Sequence, residues 1–195
     1  CKVRISRREN SSDGSDALRQ NLDVLATTAL GKWPVCGAQC PCKTARRCDR
    51  NCPDIATALS DDPADNPLEL IIAPLVYELQ RLDGFRSCWS CEGHERFNEL
   101  WKKPQVWFYA ESQLHVRVLS DAVTEMRIKG ALKVDWEISV TYSDPDNLDT
   151  TYTLQPRQDE TSIGLDVLQS DVASLAASLV SAYTKQAKFL LTTGT

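Results

Sequence analysis

The chain has 195 residues, enough to bury a core without covalent staples. Its 42% hydrophobic and 25% charged content excludes wholesale disorder and matches an ordinary globular protein. The net charge of −5 excludes a uniformly basic nucleic-acid platform, and no apolar run reaches the length of a membrane span.

The basic first residues lack the apolar stretch and cleavage pattern of a secretory signal, and a chain opening on Cys1 is expected to start after processing or inside a longer one. Residues 1–16 read as a flexible lead-in, with Ser15 or Asp16 capping a helix from Ala17 to Leu30 that Gly31 and Pro34 end. From Lys32 to Pro53 neither helical nor strand periodicity appears, and only Trp33 and Val35 offer apolar surface. Burial cannot order such a segment, whereas a metal can.

A short helix is expected from Pro53, then a turn-rich linker from Ser60 to Pro67. Leu68, Ile71, Ile72, Leu75, Val76, Leu79 and Leu82 predict a core helix stopped by Gly84, with Pro74 kinking it or starting a second segment. A strand over Phe85 to Cys88 should lead into a turn from Cys88 to His94, and one or two helical turns into Lys102. Val106 to Tyr109 is a buried strand, and Ser112 opens a helix that Gly130 closes.

Ala131 to Tyr142 alternates apolar and polar residues, and Thr150 to Leu154 is its returning antiparallel partner across a Ser143 to Asn147 turn. Leu165 to about Leu191 forms a long final helix with a narrow, nearly heptad stripe. That stripe packs on the sheet or meets another helix, including one from a second copy in a homo-oligomer. The order predicts an α+β fold: a mainly antiparallel sheet covered by helices, in one domain over 17–195 that includes a Cys-rich, metal-ordered loop at 32–53, packed at the sheet rim.

Seven of the eight cysteines and one of the two histidines fall in two short runs. Cys36, Cys40, Cys42, Cys48 and Cys52 lie in the first, and Cys88, Cys91 and His94 in the second. These are the residue types and close spacings of tetrahedral zinc sites, and eight donors would serve two ions, while four would serve one. An iron–sulfur cluster fits the thiolates but not the spacing, so zinc is preferred. A disordered or disulfide-linked loop is the competing reading; a chain with its own core has less need of disulfides, which points to a reducing cytoplasm.

The Ser90-Cys91-Glu92-Gly93-His94 turn is similar to the Ser-Cys-Ser-Gly-Arg turn of the wybutosine-synthesis methyltransferases, with His in place of Arg. The likeness covers a small part of the chain and implies that the turn lines a pocket.

Lys43, Arg46, Arg47 and Arg50 stand between the loop cysteines and could contact phosphate, nucleic acid or an acidic protein, or simply offset thiolate charge. Cys88-Trp-Ser-Cys91 has the letters of a thiol–disulfide exchange motif without its strand-to-helix setting. His115, on a predicted helix, reads as a structural histidine. Asp61, Asp62 and Asp65 read as solvated turn residues, and no phosphate loop, nucleophile elbow or H-E-x-x-H is present. Three functions follow: a zinc-binding protein with a structural cluster and a basic contact surface, a metal or thiol redox enzyme with its site at Cys88 to His94, or a nucleic-acid module.

Overall fold

A computed structural model describes residues 12–27, 59, 60, 62, 64, 65, 68–142, 149–157 and 163–193. The Cys36 to Cys52 run, its four cations and the hairpin turn after Tyr142 lie outside these residues. Among the described residues the chain forms α1 (Ser12–Thr27), α2 (Ala73–Arg81), β1 (Phe85–Cys91), β2 (His94–Arg96), β3 (Glu99–Lys102), β4 (Gln105–Ala110), α3 (Gln113–Ile128), β5 (Trp136–Thr141), β6 (Thr151–Pro156) and α4 (Leu165–Thr193).

Four strands pair antiparallel in the order β1-β4-β6-β5, and β2 and β3 form a separate two-stranded sheet. The α+β class and the antiparallel sheet are therefore as the alternation predicts. Val106, Phe108 and Leu154 are fully buried and share one core with Leu75 and Leu79 of α2, Leu119 of α3, and Leu175 and Leu179 of α4. The nearly heptad stripe of α4 is taken up within the chain, against α1, α2 and α3.

Several boundaries move for local reasons. α1 begins at Ser12, inside the expected lead-in. The Leu68 to Leu82 stripe becomes a helix only from Ala73, because Pro74 sits in the first turn, where its missing N–H costs nothing. The strand expected from Ala131 begins at Trp136; the residues before it are held by Asp171 of α4 instead. That buried carboxylate accepts from the Lys133 N–H at 2.9 Å, the Val134 N–H at 3.0 Å and the Trp136 indole at 3.2 Å.

The helical turns expected over Glu95 to Lys102 are overturned. This segment is the β2–β3 hairpin, reversed by Phe97 and Asn98 at φ 55° and 62°, the left-handed pair a tight two-residue hairpin turn requires. Asparagine tolerates that region, while an aromatic rarely enters it. Phe97 is 87% exposed at the tip.

Candidate metal centre

β1 runs further than its first apolar residues suggest, carrying both Cys88 and Cys91 along the sheet edge. Its register against β4 steps between Ser87 and Trp89, so Cys88 is the extra residue of a bulge. Cys88 is exposed and Cys91 is buried. Three residues of extended strand span roughly 10 Å, beyond the reach of a disulfide. The two thiols of this C-x-x-C are thus not placed for exchange with each other.

Cys91 is joined by two other donors. Its Sγ, an imidazole nitrogen of His94 and a carboxylate oxygen of Glu69 all lie within 4.8 Å of one another. His94 Nε2 is 2.8 Å from Glu69 Oε1, and the other Glu69 oxygen accepts the Glu92 N–H at 2.7 Å. Glu92 returns the contact by accepting the Ile71 N–H at 3.0 Å. The segment ahead of α2 and the turn after β1 are therefore laced together at the cluster. Gln169 of α4 fixes the same turn by donating to the Glu92 carbonyl at 3.2 Å.

Gly93 lets the chain bend between the thiol and the imidazole. It sits at φ 85°, and a Cβ there would come within 2.6 Å of Leu165 Cδ1 and 2.8 Å of Pro104 Cδ. A side chain would be strained in both backbone and packing. Burial pushes the Cys91 thiol up, with the Glu69 and Glu92 carboxylates acting in the same direction and the Gly93 N–H and Lys102 opposing them. A thiol held neutral is a poor nucleophile and binds metal only with loss of its proton.

The cluster opens on a cleft of about 960 Å³, bordered also by Trp89, Arg86, Lys102 and the exposed Cys88. Ser90, Cys91 and His94 of the turn thus border a pocket. Trp101 lies beside His94, with ring centroids 6.4 Å apart, and Lys102 Nζ stands 4.7 Å from the Trp101 ring centre. Of the expected ligands, Cys91 and His94 meet, Cys88 is not in their group, and the other five lie outside the described residues. Glu69 has no signal in the sequence: it lies far from Cys91 along the chain, and a carboxylate ahead of a helix carries no metal signature.

His115 is structural, as expected. It is 9% exposed, its Nδ1 is 2.9 Å from Ser112 Oγ, and its ring meets Phe85 edge on. Burial lowers its pKa, against the opposing pull of Glu111 and Asp83. No helix among the described residues is long and apolar enough to cross a membrane. Taken together, these features define an α+β protein with a mixed Glu/Cys/His donor group at the mouth of a cleft. No protein-family model, curated protein or solved structure matches the chain.

Proposed function

We propose that this is a zinc-binding protein in which Glu69, Cys91 and His94 hold an ion between the α2 lead-in and the β1–β2 turn. The observation that carries the reading is their convergence within 4.8 Å, from two separate segments, on the residue types zinc takes. Iron–sulfur chemistry is less well served, since only one of the three donors is a thiolate.

The five cysteines from Cys36 to Cys52 are the sequence's candidates for a second ion, which would order a segment with little apolar surface of its own. Lys43, Arg46, Arg47 and Arg50 would then form a basic surface for a protein or nucleic-acid partner, in a cytoplasm that keeps the thiols reduced. Metal analysis of the full chain tests the reading. Bound zinc that falls when Cys91 or His94 is replaced supports it, and zinc content indifferent to both replacements overturns it.

The enzyme reading is favoured by one observation, the 960 Å³ cleft that the donor group borders. A metal with an open position at such a mouth could act as a Lewis acid.

A further inference from the structure

We infer that the ion held by Glu69, Cys91 and His94 keeps a coordination position open to the cleft and binds a small anionic ligand there, with Lys102 supplying additional positive charge. The inference rests on the zinc reading and names what that site takes.

A buried structural zinc has four protein donors, whereas a site with three keeps a position for water or an incoming ligand. Among the described residues the group has three members. The nearest further thiol along the chain, Cys88, lies three residues from Cys91 on the extended β1 strand and is not in the group. The second oxygen of Glu69 already accepts the Glu92 N–H, so this carboxylate is directed to give one oxygen to a metal and not two. Glu92 in turn is engaged with the Ile71 N–H. Neither acid is poised to close the shell by a small movement.

Charge sets the ligand class. One thiolate and one carboxylate cancel a divalent ion, leaving the loaded group neutral. Lys102 lies directly opposite His94 in the β2–β3 ladder and borders the same cleft. An anion entering the open position meets the metal and this ammonium together. Asp62, Asp65 and Asp149 border the cleft as well, so the attraction is local to the metal and not a property of the whole cavity. A carboxylate-sized anion fits that description; a long polyanion such as a nucleic acid does not.

The test uses the full chain loaded with Co²⁺, whose visible spectrum reports its ligands, and azide as the anionic probe. Azide should change the cobalt spectrum in a saturable way and show the shifted infrared stretch of a metal-bound anion. The azide response should vanish in His94→Ala, and Lys102→Met should weaken azide binding by roughly threefold or more while cobalt still binds. Cobalt that is lost on His94→Ala but does not respond to azide in the native chain would overturn the open position and leave the zinc reading standing. An azide response that persists in His94→Ala would place the anion elsewhere and overturn the inference. Cobalt content unchanged by both Cys91→Ser and His94→Ala would remove the metal site itself. His94 is 38% exposed, so its replacement should not unfold the chain, and circular dichroism checks that.

Discussion

Glu69 and Glu92 exchange backbone hydrogen bonds: each carboxylate accepts an N–H from the other's segment, at 2.7 Å from Glu92 and 3.0 Å from Ile71. This reciprocal pair fixes the distance between the α2 lead-in and the β1–β2 turn before any metal arrives. A preorganised pair of segments loses less freedom on binding than two mobile ones.

Gly93→Ala tests how far the donors depend on that turn. The added Cβ would press on Leu165 and Pro104, and the left-handed backbone would be strained besides. Zinc affinity, measured by competition with a chromophoric chelator, should fall by about tenfold or more, the usual scale for loss of support behind a ligand. Unchanged affinity would mean that the turn can shift without moving Cys91 or His94.

Asp171→Ala should cost about 2 to 3 kcal/mol of stability in urea titration, because it strands the buried Val134 N–H, the part-buried Lys133 N–H and the Trp136 indole. A cost near that of an ordinary surface substitution would show that water replaces the carboxylate.

Gly84 faces a different neighbour. A Cβ at this position, φ 85°, would lie 2.3 Å from His115 Nε2. Gly84→Ala should lower stability by about 2 kcal/mol, and adding His115→Ala should recover the steric part while leaving the backbone part. Strict additivity of the two changes would contradict the contact.

Burial holds the His115 imidazole below its ordinary value, so the unfolded chain takes up the proton first as the pH falls. The contribution of neutral His115 is intact above about pH 6.5 and declines below it, levelling at the lower folded value. The urea midpoint should fall as the pH is lowered below about 6.5, and by less in His115→Asn. An equal drop in both chains would assign the effect to other groups.

The parts of this fold that were legible are those written in periodicity. Val106 to Tyr109, the Leu114 to Met126 stripe and the Leu165 to Leu191 stripe each became the element their spacing predicts. The β2–β3 hairpin was hidden because it turns on left-handed backbone at Phe97, which no propensity for phenylalanine foretells. Asp171 was hidden because one acid in an apolar helix looks the same whether it faces solvent or a loop. Two of the three donors of the candidate site, Cys91 and His94, were legible in the sequence. Glu69 enters only through tertiary contact, and Cys88 stays outside because C-x-x-C on an extended strand holds its two thiols apart.

Zinc content of the purified full chain, measured by elemental analysis in the native protein and in Cys91→Ser and His94→Ala, tests the central claim most directly. The account predicts bound zinc in the native chain and one equivalent fewer in each variant. A native chain without zinc, or with the same zinc as both variants, would contradict it.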